Sequence, residues 1–205
     1  MTLSQQVLAR VMALIPLLLS LGVHEWAHAW AAAQLGDTTA KEQGRLTLNP
    51  FAHVDVIGTV ALPLLGIPFG WAKPVPVEPT RFRPGVSMTT GMLVTAAAGP
   101  VSNLVLALLC CVLLFAEARA PLGTGALRFL LARGLAINLG LALFNLLPIP
   151  PLDGSRIVDA FVPFEHRATW RKAGIAAGVL LLLVLAVPVL ALSEGIFEWL
   201  GRSLR

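Results

Sequence analysis

At 205 residues, 57% hydrophobic and only 13% charged, the chain carries more apolar sequence than a water-soluble domain of this size can cover, so it reads as a membrane protein. The formal charge of +4 comes from 15 Lys and Arg against 11 Asp and Glu, placed mainly between apolar runs where cations set topology; nucleic acid is not implied as a partner. The only two cysteines, Cys110 and Cys111, are adjacent in an apolar stretch and supply neither a spaced metal pair nor a disulfide framework, which leaves them packing or lipid contact.

In chain order, the first apolar run, about Val7 to Leu35, continues into His24, Glu25 and His28 and lacks a small-residue cleavage site after a basic region. It is expected to be a retained spanning helix. The next run, Val56 to Gly70, is shorter and contains Gly58, Pro63, Gly66 and Pro68, which would interrupt a regular span; it reads as re-entrant or as a short buried segment. Three further spans are predicted at Met92 to Ala116, Ala126 to Leu147 and Ala173 to Leu192. The expected architecture is a single all-α membrane domain over residues 1–205, with four long transmembrane helices, the short fifth segment and minor extended structure. Its core covers about 7–159 and its C-terminal helix about 173–192.

Parity supports this count. His24 and His28 lie toward the C-terminal end of the first span and Asp153 just beyond the third, so the two stretches meet on one side only if Val56 to Gly70 does not cross. Charge agrees: Lys41, Arg45, Lys73, Arg81, Arg83, Arg156, Arg167, Arg171 and Lys172 fall on the side expected to be cytoplasmic, against Arg10, Arg119, Arg128, Arg202 and Arg205 opposite. That pattern puts the site toward the cytoplasm.

The stretch His24-Glu25-Trp26-Ala27-His28 is an H-E-x-x-H pattern, which on a helix sets two imidazoles one turn apart on one face. A run from Val11 to Val23 that is apolar except for Ser20 and Gly22 precedes these ionisable groups, and desolvating them without function would be costly. Neutral imidazoles with a carboxylate suit one zinc ion, with a position left for water or substrate. Glu25 is then the general base, taking a proton from the hydrolytic water and returning it to the leaving amine. Among carboxylates at membrane depth, the best candidate for third ligand is Asp153, which follows Asn145-Leu146-Leu147-Pro148-Ile149-Pro150-Pro151-Leu152; Gly154 allows a tight turn after it. A Pro-rich turn ending in Asp-Gly is by itself ordinary loop chemistry.

From Leu21 to about Asp159 the chain resembles the site-2 protease family of intramembrane metalloproteases, specifically its short prokaryotic members. The markers occur in family order: His24 to His28, Asn49-Pro50-Phe51-Ala52-His53-Val54-Asp55, Gly70-Trp71-Ala72-Lys73-Pro74-Val75-Pro76-Val77, Gly99-Pro100-Val101-Ser102-Asn103 and Asn145 to Gly154. The resemblance implies zinc on His24, His28 and Asp153, catalysis by Glu25, and cleavage of a membrane-embedded or membrane-associated protein, such as a single-pass regulator or remnant signal peptide. Val56 departs from the proline frequent there in relatives and bears only on the local turn.

Other residues admit two readings each. His53 either hydrogen-bonds the substrate carbonyl or intermediate, or is satisfied by Asp55 or backbone. Asn103 either positions substrate or makes an interhelical hydrogen bond; Asn145 shares that ambiguity and could fix the turn that presents Asp153. Asn138 is less informative. Pro74 and Pro76 favour an extended backbone that either borders a substrate cleft or serves as a rigid connector. Competing functions are a metal transporter, which has no requirement for Glu25 between the histidines, and an inactive scaffold that sequesters membrane proteins.

Overall fold

The computed structural model describes residues 3–65, 71–120, 125–163, 165–176 and 178. A long helix α1 (Leu3–Gln34) leads to a one-turn α2 (Thr39–Glu42) and a short α3 (Leu62–Leu64). Two long helices follow, α4 (Met88–Arg119) and α5 (Gly125–Asn145), then α6 (Asp153–Asp159). A further helix begins at residue 165, ahead of the expected Ala173–Leu192 span, most of which lies outside the described residues. Among the described residues there is no strand, and α1, α4 and α5 each hold a stretch long and apolar enough to cross a membrane.

Helix α4 packs between α1 and α5. Its start lies four residues before the predicted span because the Ser87 side chain caps it, accepting from the Thr90 N–H at 3.0 Å. Its buried face recurs every four residues as Gly91, Thr95, Gly99, Asn103 and Ala107. Between helices in lipid there is no hydrophobic drive, so close backbone approach across small side chains and interhelical hydrogen bonds hold the bundle instead. The opposite face exposes Val101, Val105, Leu108 and Val112, as expected of a surface that meets acyl chains. At the far end of this pair, Arg128 on α5 donates to the buried Glu117 carboxylate on α4 at 2.8 Å.

The chain between α1 and α4 leaves and returns at one end of the bundle. Gly36, at φ +109°, ends α1, and the Arg83 N–H reaches back to the Leu35 carbonyl at 2.8 Å. Residues Val56–Ala61 form a π-helical turn that runs into α3. The Thr59 hydroxyl donates to the Trp71 carbonyl at 2.7 Å, so the excursion after Thr59 comes back to its starting point. Asp55 caps this turn by accepting from the Ile57 and Gly58 N–H groups, which sets its geometry without a proline at position 56. Trp71 to Glu78 then run without helix or strand, Glu78 in extended conformation, as the alternating prolines favour.

Asp37, completely buried, ties the two ends together. Its carboxylate accepts from the Thr39 N–H and hydroxyl and from the Glu78 N–H at 2.7 Å. Burial, the largest influence, works to raise its pKa; the bonds from Thr39 and Glu78 and the Arg81 charge outweigh it and hold the carboxyl below its ordinary value. A lowered folded-state value stabilises the fold above the unfolded pKa and is lost as pH falls through the folded one. Asp37→Ala is therefore expected to cost about 1–3 kcal/mol at neutral pH. Thermal unfolding followed against pH should find that difference shrinking below about pH 4.

Candidate active site

His24 and His28 lie one turn apart on the buried face of α1, and Asp153 opens α6 just past α5. All three are buried, with the two Nε2 atoms 3.1 Å apart and the Asp153 Oδ2 3.1 Å from His24 Nε2 and 3.2 Å from His28 Nε2. Ligands bound to zinc at about 2.0–2.1 Å in a tetrahedron sit about 3.3–3.4 Å from one another. The observed triangle is close to that size.

Hydrogen bonding fixes what those atoms present. His28 Nδ1 lies 2.7 Å from the Thr95 carbonyl, which can only accept, so Nδ1 carries the proton and Nε2 a lone pair. For His24 the same result comes through a chain of amides. Asn138 Nδ2 donates to the Gly134 carbonyl and the Ser20 hydroxyl, each at 2.8 Å, which turns its oxygen toward Asn103. Asn103 Nδ2 donates to that oxygen at 2.8 Å and to the Ser20 carbonyl at 3.3 Å, leaving Oδ1 to accept from His24 Nδ1 at 2.5 Å. With both rings neutral, two imidazole lone pairs and a carboxylate oxygen converge, an arrangement that a divalent cation satisfies.

Two glycines permit the close approaches around this cluster. A Cβ at Gly99 would stand 2.4 Å from His28 Nε2 and 2.6 Å from His24 Cε1. Gly154 acts differently from the expected turn: it is the second residue of α6, and a Cβ there would stand 2.2 Å from the Leu146 carbonyl oxygen. Close approach of backbone to backbone, rather than a special φ, requires glycine there.

Glu25 is half-buried, and its Oε2 accepts from the Val75 N–H at 3.1 Å, which joins the H-E-x-x-H turn to the extended segment. Pro74 and Pro76 flank that contact; the Pro74 and Lys73 carbonyls accept from Arg45 Nη2. His53 is not among the three clustered ligands. Its ring meets the Thr47 carbonyl at 3.0 Å and Arg45 Nη2 at 3.5 Å, while its own carbonyl accepts from Lys73 N–H. Asn145 donates to the Leu141 carbonyl one turn back in α5. Asn138, Ser20, Thr95 and Gly99 were given no role by sequence reasoning. The available signal was a polar side chain, Ser20 or Asn138, set among apolar neighbours within a predicted span.

A helical membrane bundle that buries two histidines and a carboxylate around one point defines an integral membrane protein with a metal site. Residues 119–187 match "Peptidase family M50". The chain is 43% identical over 181 residues to "Putative zinc metalloprotease YwhC" of Bacillus subtilis, spanning 85% of this chain and 80% of the relative. It is 32% identical over 196 residues to "Putative zinc metalloprotease Rip2" of Mycobacterium tuberculosis, spanning 93% and 73%. The Rip2 protein of Mycolicibacterium smegmatis is 33% identical over 188 residues, spanning 88% and 68%. No solved structure matches significantly. The chain belongs to peptidase family M50.

The amide chain makes a graded prediction. Asn103→Leu should weaken zinc binding about 10- to 100-fold. Asn138→Leu should weaken it less, because the Ser20 carbonyl still holds one Asn103 N–H; chelator competition on the purified variants measures both.

Proposed function

We propose that the protein is an intramembrane zinc endopeptidase that hydrolyses peptide bonds of membrane-embedded or membrane-associated proteins, with residues 1–205 acting as one domain. The reading is supported above all by the convergence of His24 Nε2, His28 Nε2 and Asp153 Oδ2 beside Glu25, together with relatives named as zinc metalloproteases. His24, His28 and Asp153 hold one zinc ion and Glu25 is the base. Bound zinc supplies Lewis-acid polarisation of the scissile carbonyl and acidifies the attacking water. Glu25 takes that water's proton and passes it to the leaving nitrogen, while Asn103 and the Thr95 carbonyl keep the imidazoles oriented.

An intramembrane substrate is helical and must expose its backbone before attack, and the extended segment offers an edge for it. Alternate residues of an extended chain point their N–H groups the same way, so Val77 shares the edge on which Val75 reaches Glu25. The Val77 N–H makes no hydrogen bond among the described residues, while Pro74 and Pro76 remove the donors of the other edge. A substrate strand paired here lies beside the base. The bundle end shared by Lys41, Arg45, Lys73, Arg81 and Arg83 with Arg156 and Arg167 faces the cytoplasm of a prokaryotic inner membrane.

Reconstitution with single-span substrates tests this. Glu25→Gln should keep zinc and lose about 10²- to 10⁴-fold in turnover, whereas Asp153→Ala should lose zinc as well; undiminished cleavage by Glu25→Gln refutes the assigned role. Replacing Pro74 and Pro76 together should impair cleavage more than zinc retention, and equal loss of both would count against strand pairing.

A further inference from the structure

Beside the catalytic groups lies a cleft of about 440 Å³, lined by Val75, Pro76 and Val77 and by Arg156, Arg167 and Arg171. Each lining has a neighbour in the site. Val75 contacts Glu25, and Arg156 stands three residues after Asp153 on α6, one helical turn away. Asp159, the carboxylate in this cleft, is engaged by Arg171 through Nε at 3.0 Å and Nη2 at 2.6 Å. Arg167 donates through Nε to the Val162 carbonyl. Arg156 is exposed and makes no hydrogen bond or ion pair among the described residues.

We propose that this cleft selects substrates by charge: Arg156, supported by the neighbouring guanidiniums, receives an acidic side chain on the cytoplasmic flank of the substrate's membrane segment. The proposal rests on the peptidase reading and on strand pairing at Val75–Val77. A substrate running along that edge leaves the site through this cleft, so its flanking residues pass the arginines. Membrane helices carry an excess of Lys and Arg on their cytoplasmic flanks. An arginine-lined exit repels such flanks and accepts Asp or Glu, which explains how a protease embedded among many spanning helices leaves most of them uncut. An anionic lipid headgroup carries the same charge, but one lodged here would stand against Val75–Val77, where the substrate strand pairs, and the peptide is the better occupant.

The test uses two synthetic peptides with the same apolar core of about 20 residues, one flanked by three Glu and the other by three Lys on the cytoplasmic side. Binding is measured with the zinc-loaded Glu25→Gln protein and cleavage with the otherwise wild-type enzyme, in phosphatidylcholine nanodiscs. The acidic peptide should bind roughly tenfold more tightly than the basic one, with the preference eroded by salt. Adding Arg156→Glu should reverse the order and Arg156→Gln abolish it, with zinc content unchanged in both. Equal binding of the two peptides, or an unaltered preference in Arg156→Glu, overturns the proposal. So does a preference that appears only when phosphatidylglycerol is added, which would make the cleft a headgroup site. Charge-selective binding without cleavage by the wild type would uphold the cleft and count against the peptidase reading.

Discussion

Two imidazole lone pairs and a carboxylate oxygen turned on one another at 3.1–3.2 Å, in a place water scarcely reaches, repel unless a cation stands between them. Much of the architecture serves that one meeting. The stripe of small residues on α4 lets its backbone come close enough to α1 for the Thr95 carbonyl and Asn103 to reach the far nitrogens of both rings. Gly99 keeps the opposite approach clear. Helix α5 contributes twice, through Asn138 from its middle and through Asp153 just beyond its end. The polar groups form a connected set with definite donors and acceptors, as buried polar networks must to be favourable.

Different parts of this site were legible to different degrees. His24, Glu25 and His28 declare themselves because four-residue spacing on a helix is a local property. Asp153 lies in a Pro-rich turn that alone is ordinary loop chemistry, and it stood out only beside the histidine pair; the count of crossings bore instead on residues 56–70, where the Thr59 hydroxyl meets the Trp71 carbonyl. Asn138, Ser20 and Gly99 were opaque for a physical reason. Their roles arise from the rotation of one helix against another, which sequence spacing within a helix does not specify. His53 illustrates the reverse case: a histidine in a family motif whose ring is turned to Thr47 and Arg45 and whose carbonyl anchors Lys73. The Asp55 carboxylate, a possible partner for it, is occupied in capping the following turn.

The extended segment from Trp71 to Glu78 is held by its neighbours at intervals along its length. Arg45 and the His53 carbonyl bind Lys73, Glu25 binds Val75, and Asp37 binds Glu78. Most of these partners belong to α1 or the chain just after it, so Glu25 and the proposed substrate edge are tied to one part of the chain. The same ties leave the Val77 edge and the arginine cleft as the open side of the segment.

Asp153 follows His24 by 129 residues. Because a polypeptide emerges from its N-terminus, the ribosome delivers the histidine pair early and the carboxylate only after α4 and α5 have been made. A nascent or prematurely terminated chain therefore lacks one member of the buried cluster that could hold an ion. The capacity to cut arrives late in biosynthesis, once the surrounding helices that confine it are already in place.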